Sequence, residues 1–182
     1  MDALPVAKSM DSNYPRWSET LLDHSHVDIR PITKADKIAE RAFIDALSPQ
    51  ARRFRFLGQV GSPSERMIEQ FTDIDYVHDV AFVAVIRDGS QERFVGISRY
   101  CTDANGRRCE CAVTVSDEWQ HKGLSSSLMK HLIEVARSNN IRCMFSIDSA
   151  ENQAMKDLAG FLGFHTREDP DDSSQVIHEL QL

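Results

Sequence analysis

The chain has 182 residues, 41% of them hydrophobic, and its 28 acidic and 21 basic side chains give a formal net charge of −7. A chain of this length and hydrophobic content can bury a full core as one domain. The negative charge argues against nucleic acid as the main partner and suits a cationic substrate. No apolar run reaches the ~20 residues of a membrane span. Because the N-terminus also lacks the apolar core of a signal peptide, we expect a cytoplasmic protein without a membrane partner.

The first quarter of the chain predicts a polar arm followed by the start of a domain. Residues 1–26 are polar and turn-rich, and we interpret them as an N-terminal arm, loosely ordered or loosely docked, before one domain over residues 27–182. Residues 27–32 alternate as a first strand, and Thr33 then caps a helix. The predicted apolar face of that helix consists of Ile38, Ala39, Ala42, Phe43 and Leu47.

Two helices that begin near prolines are predicted next. Ser48-Pro49 begins a helical segment that runs through Phe56, and Pro63 begins another. An acidic cluster follows the second helix, formed by Asp73, Asp75 and Asp79. Such a cluster can attract a cationic amine, and it is equally a charged loop that needs no function.

The remainder of the chain predicts strands that alternate with two further helices. Strands are predicted over residues 80–87, 94–102, 109–115 and 141–147. Asn105-Gly106 is a strong hairpin turn. One amphipathic helix follows Gly123, and a second opens at the N-cap Asn152 and stops at Gly163. The tail over residues 164–182 predicts a last hairpin.

The four cysteines do not predict a metal site. Cys109 and Cys111 lie two apart on a predicted strand, so their side chains face the same way. Cys101 and Cys143 lie on other strands, and the sequence contains no Cys-x-x-Cys knuckle. We therefore expect reduced core cysteines and no metal.

The turn over residues 120–126 predicts an anion-binding helix start. It reads Gln120-His121-Lys122-Gly123-Leu124-Ser125-Ser126 and joins the strand that ends at residue 115 to a helix. The first backbone N–H groups of a helix have no partner within it, and the helix dipole favours an anion there. The glycine spacing fits neither a dinucleotide fingerprint nor a Walker sequence. The alternative is an ordinary connection between a strand and a helix.

This loop resembles motif A of the GCN5-related N-acetyltransferase (GNAT) superfamily, which reads Q/R-x-x-G-x-G/A and binds the pyrophosphate of acetyl-coenzyme A. Gln120 and Gly123 match the motif, while Ser125 replaces the final Gly or Ala. The later helix resembles motif B of the same superfamily, with Asn152 at its start and Gly163-Phe164 at its end. The resemblance extends over nearly the whole chain after the arm.

The resemblance implies an α/β (α+β) fold with a mixed, mostly antiparallel sheet of six or seven strands, flanked by helices on both faces. It implies acetyl-CoA as co-substrate and a splayed strand whose free edge pairs with the pantetheine arm. The cofactor-binding residues expected on this basis are Val113, Thr114, Val115, Gln120, His121, Lys122, Gly123, Leu124, Ser125, Ser126 and Asn152.

Glu110 is the predicted catalytic base. An amine is mostly protonated at neutral pH and must lose a proton before it attacks the thioester. Many GNAT enzymes place a base at this position of the strand. Alternatively, Glu110 faces solvent or pairs with Arg107 or Arg108. The tyrosine with which the superfamily often protonates the departing thiolate is Ala159 in this chain. The sequence does not rank the substitutes, which are Tyr100, Tyr76, Ser125 and a bound water.

We therefore expect an N-acetyltransferase that moves an acetyl group to a primary amine by direct attack in a ternary complex. The acceptor is a protein lysine or a small cationic amine, and the protein is a monomer or a homodimer. The segment with Ser48-Pro49, Arg53, Arg55 and Phe56 resembles bacterial GNAT domains, including those of protein lysine acetyltransferases. The alternative is a non-catalytic acyl-CoA sensor on the same fold, which the absence of the motif B tyrosine keeps open.

Overall fold

The structure, a computed structural model, describes residues 14–58 and 61–182. Its strands are β1 (Trp17–Thr20), β2 (His26–Pro31), β3 (Asp79–Asp88), β4 (Gln91–Thr102), β5 (Arg108–Val115), β6 (Cys143–Ser149), β7 (His165–Glu168) and β8 (Gln175–Gln181). Its α-helices are α1 (Lys37–Ala46), α2 (Pro49–Phe56), α3 (Glu65–Thr72), α4 (Leu124–Ser138) and α5 (Gln153–Leu162). Residues 1–13 of the predicted arm over residues 1–26 lie outside the described residues.

All the described strands form one mixed sheet. The order is β1-β2-β3-β4-β5-β6-β8-β7, and only the neighbours β5 and β6 are parallel. This confirms the predicted mostly antiparallel sheet, although it has eight strands rather than six or seven. The final hairpin predicted for the tail is present as β7 and β8.

Strand β1 arises from the segment that the sequence analysis assigns to the arm. It pairs with β2 in antiparallel register. The Trp17 ring stacks on the His131 ring of α4 with centroids 4.0 Å apart, and His131 Nε2 lies 2.6 Å from a carboxylate oxygen of Glu19. Side-chain contacts with a distant helix therefore hold this strand, which is why local composition does not reveal it.

Helices cover both faces of the sheet, and strand β3 shows why. Its alternate side chains enter two different cores because successive residues of a strand point to opposite faces. One set, Val80, Phe82 and Ala84, belongs to the core that includes the buried side of α4. The other set, Ala81, Val83 and Val85, packs with residues of α1 and α3. A strand buried on both faces reads as a continuous apolar run in the sequence.

The predicted apolar face of α1 is confirmed for Phe43 and Leu47, which are buried, and Ala39 packs against the same core. It is wrong for Ile38, which is 86% exposed, and for Ala42, which is exposed as well. Glu40 and Ile44 are buried in addition. Glu40 is buried because Arg99 of β4 lies beneath it, with Nη2 3.3 Å from Oε1. Hydrophobic periodicity cannot anticipate a buried carboxylate whose partner lies on another element.

The predicted ends of α5 are confirmed. The Asn152 side chain accepts a hydrogen bond of 3.1 Å from the Met155 amide, as an N-cap does. Gly163 ends the helix in the left-handed region with φ of 86°.

Of the four cysteines, Cys109, Cys111 and Cys143 are buried and Cys101 is exposed, and all four are free thiols. The expectation of core cysteines therefore holds for three of them. Across residues 14–58 and 61–182, no group of three or more His, Cys, Asp and Glu side chains is arranged to hold a metal. Within the same residues, no helix is long and apolar enough to span a membrane.

Candidate active site

A cleft opens where strands β5 and β6 separate. Their pairing covers only three positions, from Arg108↔Cys143 to Glu110↔Phe145. Strand β5 nevertheless continues to Val115 and β6 to Ser149. A cavity of about 560 Å³ lies at this divergence, lined by β5 from Glu110 to Val115 and by Ile147 and Asp148 of β6. Within the described residues, no strand pairs with this edge of β5 beyond Glu110, and the Val115 carbonyl accepts a hydrogen bond of 3.5 Å from Gln120 Nε2.

The N-terminus of α4 faces the same cleft. Gly123 occupies the N-cap position with φ of 86°, a conformation that L side chains rarely adopt, and no side chain caps the helix among the described residues. The Ser127 backbone amide donates to the Gly123 carbonyl at 3.1 Å and makes the first hydrogen bond of the helix. The preceding amides at 124–126 therefore have no partner within the helix. These three residues line the cavity. The arrangement favours an anion.

Of the three cofactor-binding residues predicted in the loop before Gly123, two line the cleft and one does not. Gln120 and His121 line the cavity. The Lys122 ammonium instead lies 2.9 Å from Asp23 and 4.5 Å from the centroid of the Trp119 ring. Lys122 is not among the lining residues, and its carbonyl accepts a hydrogen bond of 3.0 Å from the Leu22 amide. Lys122 thus connects the loop to the turn between β1 and β2.

Helix α2 closes the other side of the cleft and is held near both of its ends. The Ser48 amide and hydroxyl donate to the Asp117 carboxylate at 3.0 and 2.7 Å. Farther along, Arg53 pairs with Glu151 at 2.9 Å. The first turn of α5 completes the wall with Asn152 and Met155. Two strands and three helices therefore converge on one cavity.

Glu110 lies at the junction of this cleft with a second cavity of about 290 Å³, and it lines both. It is exposed, on the strand face opposite the buried Cys109 and Cys111. Arg108, one of its predicted alternative partners, pairs with Glu179 at 3.2 Å. Within the described residues, no hydrogen bond or ion pair joins Glu110 to Arg107 or Arg108. Its carboxylate is therefore open to the two cavities.

The predicted substitutes for the missing tyrosine lie in different places. Ala159 itself is 1% exposed and packs in the core beneath α5. The Tyr76 hydroxyl donates to the carbonyls of Ile32 and Ala81, and the Tyr100 hydroxyl accepts a hydrogen bond of 2.7 Å from Asn139. Neither tyrosine lines the cleft between β5 and β6, whereas Ser125 does.

Asp148 is a carboxyl group of the cleft that the sequence analysis missed. Burial raises its pKa, against the opposing effects of the Ser146 hydroxyl, which donates to it at 2.6 Å, and of His178. His178 Nε2 lies 3.8 Å from Asp148 Oδ2 and has no hydrogen-bond partner among the described residues. Period-two alternation could have placed Ser146 and Asp148 on one face, but it could not show that the face lines a cleft.

A second group of charged residues that the sequence analysis did not single out surrounds the smaller cavity. Arg55 and Arg99 line it together with Phe71, and both guanidinium carbons lie over the Phe71 ring, 5.3 and 4.6 Å from its centroid. Arg99 pairs with the buried Glu40. Burial raises the pKa of Glu40, and the charges of Arg99 and Arg55 partly offset this.

The predicted acidic cluster has mainly local contacts. Asp75 accepts hydrogen bonds from the backbone amides of Val77, His78 and Asp79 at 2.8 to 2.9 Å. Asp73 pairs with Lys34 at 2.9 Å. Only Asp79 lines the smaller cavity. Two of the three carboxylates therefore order the loop before β3.

This fold is that of an acyltransferase. A model described as the Acetyltransferase (GNAT) family matches residues 43–169, which is more than half of the chain. The chain therefore belongs to the GNAT family of acetyltransferases, and its enzyme class is N-acetyltransferase.

One relative and two solved structures show what the chain is similar to. It is 51% identical to the acetyltransferase PA5475 of Pseudomonas aeruginosa over 166 residues, which cover 91% of this chain and 89% of that protein. The crystal structure of the GNAT domain of S. lividans PAT superposes with a TM-score of 0.85 at 25% identity, covering 93% of this chain and all of that one. The acetyltransferase yncA of Salmonella typhimurium, solved with acetyl-CoA, shares the fold at a TM-score of 0.66 and 19% identity, with 87% and 95% of the two chains covered.

Proposed function

We propose that this protein transfers the acetyl group of acetyl-CoA to a primary amine, which is either a protein lysine or a small cationic amine. The observation that carries the proposal is the convergence of three features on one cleft. These are the uncapped N-terminus of α4, the edge of β5 beyond its pairing with β6 and the open carboxylate of Glu110. The first two suit the cofactor, and the third suits the acceptor.

The cofactor would be held mainly by backbone groups. The amides of Leu124, Ser125 and Ser126 supply unpaired donors for its phosphates, at the positive end of the helix dipole. The edge of β5 around residues 113–115 offers amides and carbonyls that pair with an extended amide-bearing arm as another strand would. Gln120, His121 and Asn152 line the same cavity and complete its wall.

Glu110 would remove the proton from the acceptor. A primary amine near neutral pH is mostly protonated, and its nitrogen has a free lone pair only after deprotonation. Glu110 takes that proton, directly or through a water, and the nitrogen then attacks the thioester carbonyl. As the new C–N bond forms and the C–S bond breaks, the nitrogen releases its second proton, which balances the proton that the leaving thiolate takes up. Both substrates are bound together, so no acyl group is attached to the protein.

We assign the proton for the thiolate to Asp148. It lines the same cleft as Glu110, and its raised pKa keeps more of it protonated near neutral pH than an ordinary carboxyl. A thiolate is a tolerable leaving group, so Asp148→Asn should lower kcat by about 10²-fold, the low end for acid–base catalysis. A variant with unchanged kcat across the pH range would remove Asp148 from the mechanism.

The first test is the binding of acetyl-CoA by calorimetry. Gly123→Glu places bulk and negative charge in the helix start, and it should abolish the micromolar binding expected of the wild-type protein. Gly106→Glu is the matched control, because Gly106 also has a positive φ and lies in a hairpin turn outside the cleft. Lack of binding by a folded wild-type protein would overturn the cofactor assignment and the transferase with it.

Glu110→Gln tests the chemistry separately. Loss of a general base typically costs about 10² to 10⁴ in rate, while the affinity for acetyl-CoA should stay unchanged. The alternative function, an acyl-CoA sensor, is favoured by the alanine at position 159. A broad panel of amines that shows cofactor binding without turnover would support the sensor.

A further inference from the structure

Arg55 of α2 is a cation without a conventional partner. Its guanidinium carbon lies over the rings of Phe56 and Phe71, 5.1 and 5.3 Å from their centroids. Within the described residues, no hydrogen bond or ion pair reaches this guanidinium. Burial, with repulsion from Arg99 as the next cause, lowers the pKa of Arg55 to about 10, so the side chain stays charged at neutral pH.

The other buried arginines differ from Arg55 in this respect. Arg30 donates hydrogen bonds to Asp36 and Glu92 at 2.7 to 3.0 Å. Arg99 pairs with Glu40. A half-buried guanidinium that lacks such an acceptor has given up part of its hydration without replacement. The Arg55 guanidinium can therefore bind an anionic ligand that replaces the lost hydration.

The position of Arg55 relates it to the acceptor. It lines the cofactor cleft and the smaller cavity of about 290 Å³, and Glu110 lines both as well. A molecule bound in the smaller cavity can therefore lie against both the Arg55 guanidinium and the Glu110 carboxylate, which is the proposed base. The other charged groups around it are the Arg99–Glu40 pair and Asp79. A polyamine would place a second cation against Arg55, whereas an amine that also carries a carboxylate would place opposite charges against Arg55 and Glu110.

We infer that Arg55 binds a carboxylate of the acyl acceptor, so that the preferred acceptor carries both an amine and a carboxylate. This inference rests on the proposed transferase function and narrows its substrate class. The guanidinium fork can donate two parallel hydrogen bonds to a carboxylate, which a lysine ammonium cannot do. Free amino acids and peptides that end in lysine both carry an amine and a carboxylate, so both belong to this class of acceptor.

The test compares acceptors that differ only in the carboxylate. Glycine, β-alanine, 4-aminobutyrate and 6-aminohexanoate are each assayed against the n-alkylamine with the same number of carbons, at saturating acetyl-CoA. At the chain length that spans Glu110 and Arg55, kcat/KM for the amino acid should exceed that for the alkylamine by about tenfold or more. A tetrapeptide that ends in lysine, with a free or an amidated carboxylate, distinguishes a peptide end from a free amino acid.

Variants of Arg55 test whether this residue causes the preference for amino acids over alkylamines. Arg55→Gln should reduce the preference to about onefold, because it lowers kcat/KM for the amino acid much more than kcat/KM for the alkylamine. Arg55→Lys, which keeps the charge, should retain part of the preference. Arg66→Gln is the control, since Arg66 is an exposed arginine of α3 outside both cavities. A wild-type protein that shows no preference at any length would overturn the inference. So would an Arg55→Gln variant that loses acetyl-CoA affinity but keeps the preference.

The inference and the proposed function can fail separately. If no amine is acetylated, the same probes are titrated into protein saturated with coenzyme A. Saturable binding of an amino acid that Arg55→Gln abolishes would support the carboxylate site while refuting the transferase. Turnover of alkylamines and amino acids at equal rates would leave the transferase standing and refute the carboxylate site.

Discussion

Replacing Arg99 by methionine should destabilise the protein in a manner that depends on pH. Arg99 has 15% of its side chain exposed, and its partner Glu40 has 2%. Removal of one member of a buried ion pair typically costs about 3–5 kcal/mol, because the other charge stays buried without compensation. Glu40 can avoid this cost by taking up a proton, since burial already raises its pKa and Arg99 is the main opposing charge.

The sign of the pH dependence follows from the raised pKa. In the variant, folded Glu40 holds a proton at pH values where the unfolded chain has released it. The stability that Glu40 contributes by holding this proton is fully present below the unfolded pKa of about 4.3. It is lost as the pH rises, by at most about 1.4 kcal/mol per pH unit, until the pH passes the folded pKa. We expect Arg99→Met to cost about 3 kcal/mol at pH 8 and at least about 1 kcal/mol less at pH 5.

The assay is urea unfolding at pH 5, 6, 7 and 8. Arg93→Met is the matched control on the same strand, because Arg93 pairs with Glu118 at the surface, and it should cost less than about 1 kcal/mol. The double variant Glu40→Leu/Arg99→Met should recover most of the loss, since it leaves no buried charge. Equal losses at pH 5 and pH 8, or a loss no larger than that of Arg93→Met, would refute the reasoning.

Three further substitutions test the packing and the turns. Gly96→Ala should cost about 1–3 kcal/mol in urea unfolding, because the new Cβ would lie 2.9 Å from Cδ1 of the buried Leu128. Asp36→Asn should cost about 2–3 kcal/mol at pH 7 by weakening the pairing of Arg30. Burial works to raise the pKa of Asp36, but hydrogen bonds from Arg30 and Thr33 lower it overall, so this stabilisation is present above about pH 4 and lost on further acidification. The difference in stability between the two proteins should therefore shrink steadily as the pH is lowered below about 4. Gly163→Ala, at φ of 86°, should cost about 1 kcal/mol and lower the thermal midpoint, unlike an alanine at the helical Gly160.

Much of the fold could be predicted because its signals are local. The alternation or apolar run of each strand from β2 to β6 lies within about ten residues, and the hairpin at Asn105-Gly106 is a two-residue signal. Asn152 and Gly163 act on their own helix ends. The stretch over residues 120–126 could be predicted as a helix start for the same reason, since an uncapped first turn is a property of consecutive residues. The role assigned to that turn in cofactor binding stays a prediction.

In the candidate site, sequence motifs predicted where residues lie along the chain better than where their side chains point. The positions of ten of the eleven predicted cofactor-binding residues agree with a shared cleft, because they follow one strand, one loop and two helix starts. Lys122 lies in the same loop but turns toward Asp23, a residue of the segment predicted as an arm. The direction of a side chain within a loop depends on what packs against that loop, and the spacing of a motif does not contain this.

The amino-acid sequence by itself determined the order of the elements, their ends and the family, because periodicity, caps and turn residues act over a few positions. Only the tertiary structure decided which charges meet. Glu40 and Arg99 are 59 residues apart, and neither pattern nor composition pairs them. Arg55, on α2, lines the same cavities as Glu110 of β5 only because α2 folds over the place where β5 leaves β6. Burial changes the energy of a charge by more than any local propensity, and burial is a property of the assembled chain.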